Sequence, residues 1–229
     1  WNRHAPVLFP NVGKYYGGHF TYNGKAYPMG QHGFARDTEF EQIAAGEDFV
    51  TYRLCADEES KKKYPFDFVL EITHRLENNR LSVEWNVKNV DDKEMYFTIG
   101  GHPAFNVNIL PDTDFEDYSL VFKEGIETLS YILIDAENGT ALTDKTYKLE
   151  LTNSKYALKK DMFDKDALIF DNGQIEWVGL ALPNGKPYIA LESKNFPNFG
   201  IWSKPGAPYV CLEPWCGRCD NKGFQFGNA

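Results

Sequence analysis

Two adjoining stretches of the chain alternate with a period of two. In FDFVLEITHRL, residues 66–76, Phe66, Phe68, Leu70 and Ile72 alternate with Asp67, Glu71 and Thr73. In LSVEWNVKN, residues 81–89, Leu81, Val83, Trp85 and Val87 alternate with Ser82, Glu84, Asn86 and Lys88. Successive side chains of a strand point to opposite faces, so this pattern buries one face and wets the other, and it does not fit the 3.6-residue repeat of a helix. Glu77-Asn78-Asn79 supplies turn chemistry between the runs, and the pair reads as an antiparallel hairpin. VDDKE then turns the chain into a third expected strand, MYFTIGG, to give a meander.

Farther on, WVGLALPNGKPYIALES sets Asn184-Gly185 between two apolar runs, a strong hairpin signal, while Pro183 and Pro187 point to a longer loop or a sheet edge. Short strands are also expected near 118–123, 128–134, 147–152 and 209–213. Helix is scarce, and only SKYALKKDMFDKDAL, 154–168, is expected to hold a turn or two. With 15% aromatics, 19 Gly and 12 Pro, the chain fits an all-β fold, a large antiparallel β-sandwich or barrel, better than an α/β fold. No internal repeat or break in composition marks a second unit, so residues 1–229 read as a single β domain.

Charge and cysteine usage narrow the partners. Lys and Arg number 24 against 33 Asp and Glu, a net charge of -9 that repels a phosphate backbone, so nucleic acid is not an expected partner. No apolar run approaches the roughly 20 residues of a membrane helix, and WNRHAPVLFP lacks a signal-peptide layout. No membrane partner is expected, and the chain reads as soluble and cytoplasmic; the oligomeric state is not legible. Cysteines fall at 55, 211, 216 and 219, three of them in CLEPWCGRC. A single CxxC lacks the second ligand pair usual for structural zinc, so reduced, non-catalytic thiols are expected, with a redox pair or metal site as the alternative.

Three clusters carry candidate chemistry. Alternation in MYFTIGGH puts Met95, Phe97 and Ile99 on one face and Tyr96, Thr98 and His102 on the other, provided the glycines add no bulge. In PYVCLEPW the same count gives Val210 and Leu212 one face and Tyr209, Cys211 and Glu213 the other. His102 and Glu213 each precede a proline, which biases both toward extended backbone. A positioned imidazole and carboxylate suit general acid–base work, although each reads singly as a structural residue, Glu213 as a partner of Arg218. The third cluster, PMGQHGFARDTEFE at 28–41, gathers Gln31, His32, Arg36 and Asp37, either a turn with a solvated Arg36–Asp37 patch or a donor set for a polyhydroxylated ligand. Trp202, Trp215, Phe105 and Phe34 offer the flat apolar surface that a sugar site needs.

Taken together, QHGFARDTEFE, GGHPAFN and CLEPWCGRCD, with APVLFPNVGK near the start, resemble the aldose 1-epimerase (galactose mutarotase-like) family in its bacterial LacX-type branch. The resemblance runs from about residue 5 to 222. It implies a β-supersandwich and cofactor-free, metal-free interconversion of the α and β anomers of an aldose. It implies His102 as the acid that protonates the ring oxygen and Glu213 as the base that takes the proton of the anomeric hydroxyl, with Glu213 ionised and His102 protonated or donating, one on each side of a space a sugar ring wide. His32 and Arg36 would bind or orient the sugar, and Asp166, or failing it Asp164, would bind its hydroxyls. Lys14 stands where relatives often carry Arg, which keeps the charge without the bidentate fork. Relatives extend beyond both WNRHAPVLFP and CGRCDNKGFQFG, so the pattern is expected to continue past both ends of this chain.

Alternatives within the same fold are a hexose 6-phosphate as substrate, which calls for Lys14, Arg36 or Arg218 near the phosphate, and a carbohydrate-binding or sugar-sensing protein without turnover. A glycoside hydrolase needs two carboxylates flanking the scissile bond, and the motifs supply one carboxylate and a histidine.

Overall fold

The period-two stretches pair as their patterns require. In the computed structural model, which describes residues 3–224, strands Phe68–Glu77 and Arg80–Asn89 run antiparallel in unbroken register from Phe68↔Asn89 to Glu77↔Arg80. Residues 1–2 and 225–229, at the outer ends of WNRHAPVLFP and GFQFG, lie outside the described residues. Leu70 and Ile72 pack with Phe9, Tyr64, Phe66 and Phe68 in one core cluster. On the opposite face Glu71 takes Arg53 at 2.7 Å and Lys88 at 3.2 Å. Preceded by Glu41–Ala45 and Phe49–Cys55, the hairpin completes a four-stranded antiparallel meander.

That meander does not continue into MYFTIGG as expected. Only Ile99–Gly101 of the stretch is a strand, and it pairs with Val7–Leu8 and with Tyr209–Cys216 in a different sheet. Residues 96–98 are engaged elsewhere: Tyr64 Oη donates to the Tyr96 carbonyl, Thr98 N donates to the Pro10 carbonyl, and Val12 N donates to the Thr98 side-chain Oγ1. Hydrogen bonds to the 10–12 loop thus replace a ladder with the hairpin and carry the chain across to the second sheet.

The large sheet runs in the order Val7–Leu8, Ile99–Gly101, Tyr209–Cys216, Asn198–Trp202, Leu168–Phe170, Thr128–Ile134, Ala141–Glu150, with Ala104–Asn106 also paired to Tyr209–Cys216. A four-stranded sheet, Lys155–Ala157, Ser119–Phe122, Trp177–Ala181 and Pro187–Glu192, shares its core. Leu120, Val178 and Leu180 from the smaller sheet pack with Leu168, Phe170, Ile201, Val210 and Leu212 from the larger. The fold is an all-β antiparallel sandwich. The Asn-Gly hairpin forms around Gly185 at φ +80°, and Pro187 begins an edge strand, where its missing N–H is tolerated. The strand expected near 147–152 is the end of the longer Ala141–Glu150.

Helix falls in another place than 154–168. Lys155–Ala157 is a strand paired to Ser119–Phe122, and turns follow it. Ser154 and Asp166 sit at φ +58° and +72°, a left-handed backbone that cannot extend a helix. The α-helix among the described residues is Glu58–Lys63, which has no apolar periodicity but a full capping box: Asp57 accepts from Ser60 N while the Ser60 side chain accepts from Asp57 N.

Tyr209–Cys216 is the strand that carries the candidate residue Glu213. It is paired on both sides, sends Val210 and Leu212 into the core, and carries Cys211, Glu213 and Trp215 on the other face. The Trp215 indole lies over Gly200, where a Cβ would come within 2.4 Å of ring carbons. Gly200→Ala is therefore expected to displace the indole and destabilise the fold by about 1–3 kcal/mol. Urea unfolding followed by near-UV circular dichroism tests this; an unchanged midpoint and an unchanged aromatic spectrum would contradict the packing described.

Candidate active site

Strand register brings the two leading candidates together. Gly100 pairs with Trp215 and Ala104 with Cys211, both in one continuous antiparallel register, so position 102 lies opposite 213. Pro103 and Pro214 have no N–H, and the ladder lapses between Ile99–Gly101 and Ala104–Asn106, although Leu212 N still donates to the Pro103 carbonyl at 3.1 Å. Cross-strand neighbours on one face stand about 4.5–5.5 Å apart at Cβ, close enough for side chains to meet. His102 Nε2 lies 3.2 Å from Glu213 Oε1. Direct contact replaces the sugar-wide gap expected between them, and both are buried, at 7% and 2% exposure.

The QHGF segment is folded by backbone demands. Gly33 has φ +68°, and a Cβ there would fall 2.1 Å from the Phe9 carbonyl oxygen, which also accepts from Phe34 N and Ala35 N. His32 is itself left-handed and is clamped twice: its N–H donates to the Gly13 carbonyl at 2.8 Å, and Gly13 N donates to His32 Nδ1 at 3.0 Å. Nδ1 is therefore an acceptor, and in the neutral ring the proton sits on Nε2. Burial pushes the His32 pKa well below the usual value, and the charges of His102, Arg36 and Arg3 push the same way. The ring stands edge-on to His102 at 5.7 Å between centroids.

Arg36 follows on the short helical turn Ala35–Asp37. Its Nη2 donates to the Gln31 carbonyl at 2.7 Å, and its Nε is buried without a hydrogen bond among the described residues. The expected Arg36–Asp37 patch is loose at 3.8 Å, because Asp37 is taken by Arg3. Asp166 precedes the Leu168–Phe170 strand, held by Oδ1 accepting from Ala167 N at 2.7 Å.

These side chains surround one cleft of about 360 Å³, lined by Lys14, His32, Arg36, His102, Asp166 and Glu213 together with Trp202 and Trp215. The six residues that the family resemblance assigns to the site reach its wall, and Gln31 joins them, whereas Asp37 of the same loop does not. Asp164 does not line it, and Phe34 and Phe105 pack instead against the two core clusters. Arg218 is turned to Asp171, at 3.0 Å and 3.1 Å from its two oxygens, and is not a partner of Glu213. The sequence reading misses Asp135, Ala136 and Gly139, which close one side of the cleft. Their signal is the Glu-Asn-Gly turn between the apolar runs YILI and ALT; in the structure Asp135 caps that turn by accepting from Asn138 Nδ2 at 2.6 Å.

Electrostatics overturn one expectation. Burial raises the Glu213 pKa well above the ordinary carboxyl value; the nearby Trp215 N–H opposes this, without a hydrogen bond of ordinary geometry, and the Asp166 charge adds to it. Burial also lowers His102 to about 4, with Arg36 adding and a backbone hydrogen bond opposing. The site thus favours a carboxylic acid beside a neutral imidazole over an ionised Glu213 beside a protonated His102.

The sign of each linkage follows. Above the ordinary pKa of 4.5 an unfolded Glu213 ionises while the folded one keeps its proton, so its contribution to stability is lost as pH rises through the raised folded value. His102 acts on the acid side: stability falls as pH drops from 6.5 toward about 4, because the unfolded ring takes up a proton that the folded ring refuses. Glu213→Gln is accordingly expected to stabilise the protein at pH 8 by about 0.5–2 kcal/mol in denaturant unfolding. A variant less stable than wild type at that pH would contradict the burial argument.

Comparison with known proteins places the chain among relatives along nearly its whole length. The aldose 1-epimerase family model matches residues 1–221. The plasmid-encoded Protein LacX of Lactococcus lactis subsp. lactis is 32% identical over 225 residues, 95% of this chain and 75% of that protein. Among solved structures, the galactose mutarotase related enzyme from Lactobacillus acidophilus gives a TM-score of 0.91 at 35% identity, over 98% of this chain and 75% of that one. A galactose mutarotase-like protein from Lactobacillus casei gives 0.84 at 34% identity, over 96% and 75%. Spanning three-quarters of the length of these relatives, the chain belongs to the aldose 1-epimerase family.

Proposed function

We propose that this protein is a cytoplasmic mutarotase that interconverts the α and β anomers of a free hexose, with His102 and Glu213 as its acid–base pair. The observation that carries this reading is the 3.2 Å contact between His102 Nε2 and Glu213 Oε1 on the wall of a cleft large enough for one sugar. The reacting oxygens of an aldose, O1 and O5, are both bonded to C1. A pair in contact serves both at once, and a ring-wide gap is unnecessary.

The neutral pair and the ion pair contain the same number of protons. Transfer of one proton from Glu213 to His102 across their contact yields the carboxylate and imidazolium without exchange with solvent. Glu213 then takes the proton from O1 as His102 delivers one to O5; the C1–O5 bond breaks and the C1–O1 bond becomes a carbonyl. This leaves the pair neutral, the form that burial favours. Rotation about C1–C2 exposes the other face, and the same two transfers in reverse close the ring. Two groups whose environments push their pKa values apart fit this exchange of roles.

The remaining residues fit a polyhydroxylated ring. His32 Nε2–H and the Arg36 guanidinium donate to sugar oxygens, Asp166 accepts from hydroxyls, Lys14 contributes a further donor, and Trp202 and Trp215 give apolar surface. A free hexose suits the charge balance better than a 6-phosphate. Arg218 is committed to Asp171, and Asp135 and Asp166 set two carboxylates around the same cleft as Lys14 and Arg36.

Polarimetry on freshly dissolved α-glucose and α-galactose tests the proposal. Wild type is expected to speed relaxation to an unchanged final rotation, and His102→Asn and Glu213→Gln to slow that turnover by about 10²–10⁴-fold each. Full activity in either variant removes that residue from the mechanism. No acceleration with either sugar defeats the free-hexose reading, and hexose 6-phosphates then become the substrates to assay.

A further inference from the structure

Cys211 has no part in the proton transfers just described, yet it lies two residues before Glu213 on the same strand, so alternation gives both side chains one face. His102 approaches from across the ladder. One ligand atom from each of His102, Cys211 and Glu213 lies within 4.8 Å of the other two, and all three residues are buried, Cys211 completely. Glu213 Oε2 has no hydrogen-bond partner among the described residues. A buried carboxyl oxygen without a hydrogen-bond partner is costly, and a cation that takes the place of the carboxyl proton would offset that cost.

We propose that His102, Cys211 and Glu213 form a site for one thiophilic divalent cation such as Zn²⁺, and that occupancy of this site switches off the acid–base pair. Imidazole nitrogen, thiolate sulfur and carboxylate oxygen are the three ligand types that zinc accepts, at about 2.0–2.3 Å, and ions such as Mg²⁺ and Ca²⁺ prefer all-oxygen sets. Three protein ligands leave a fourth position, which the cleft fills with a water or a sugar hydroxyl. Protons balance: the Cys211 thiol and the Glu213 carboxyl each release one to solvent as metal bonds form, and His102 binds through an unprotonated nitrogen. Once His102 and Glu213 are held by the ion, neither can pass a proton to O1 or O5. The cluster is distinct from the CxxC suggested by sequence, since Cys216 is exposed and belongs to no such group.

Cobalt(II) serves as the spectroscopic probe. Chelator-treated wild type is expected to bind one equivalent with a thiolate-to-cobalt charge-transfer band that Zn²⁺ displaces, and Cys216→Ser to behave likewise. Cys211→Ala is expected to lose the band and to bind cobalt more than about 100-fold more weakly, beyond the loss that removing a mere supporting residue causes. X-ray absorption on the cobalt-loaded wild type, which needs no variant to fold, should show one sulfur among nitrogen and oxygen ligands. In polarimetry, Zn²⁺ should slow wild type at concentrations that leave Cys211→Ala at its own metal-free rate. An absent band, a shell without sulfur, or a band that survives in Cys211→Ala or vanishes in Cys216→Ser overturns the site. Only the inhibitory half rests on the epimerase reading: cobalt binding without mutarotase activity refutes that reading and leaves the site standing, and activity without cobalt binding does the reverse.

Discussion

One cross-strand contact, between His102 and Glu213, organises the candidate site. Residue 102 lies opposite 213 because Ile99–Gly101 and Ala104–Asn106 share a register on the Tyr209–Cys216 strand. Two prolines at this point remove N–H groups from the ladder, and the site occupies the lapse. The strands on either side then fix the walls: Trp215 stacks over Gly200, the Phe9 carbonyl pins the QHGF turn, and the clamp between Gly13 and His32 sets which nitrogen of that ring is the donor.

Burial gives this contact its chemical character. A carboxyl and an imidazole in water would each adopt the protonation state that pH dictates; inside the cleft the carboxyl holds its proton and the imidazole stays neutral. Side by side, they become a pair with one mobile proton. Such a pair can act as acid toward one oxygen and base toward its neighbour, then exchange roles, which is the symmetry that anomer interconversion requires. The same desolvated cluster, extended by one thiol, has the ligand types of the proposed cation site, so the arrangement proposed for proton transfer would be blocked by a metal bound there.

Legibility in the sequence follows the range of the forces involved. The 66–89 hairpin, the Asn-Gly hairpin and the faces of the 209–213 run were readable because alternation and turn chemistry act over a few residues. MYFTIGG was not, since its change of sheet depends on hydrogen bonds to residues 10–12, far away in sequence. Helix Glu58–Lys63 owes its existence to a capping box rather than to periodicity, and 154–168 is broken by left-handed residues that composition does not announce. His102, Glu213, His32 and Arg36 sit in local motifs, Asp166 and Lys14 follow from the family resemblance alone, and all six line one cleft. Their contact distances, the neutral state of the pair and the place of Cys211 beside it are products of register and burial, and no single stretch of sequence encodes them.

The most direct measurement is a crystal structure of the protein soaked with galactose. C1 should seat at the His102–Glu213 pair, with O5 within hydrogen-bond distance of His102 Nε2, O1 within the same reach of Glu213, and the ring hydroxyls toward His32, Arg36 and Asp166. A sugar bound in this cleft with C1 turned away from the pair, or bound elsewhere on the protein, would contradict the central claim that these two side chains act together on the oxygens of a single carbon.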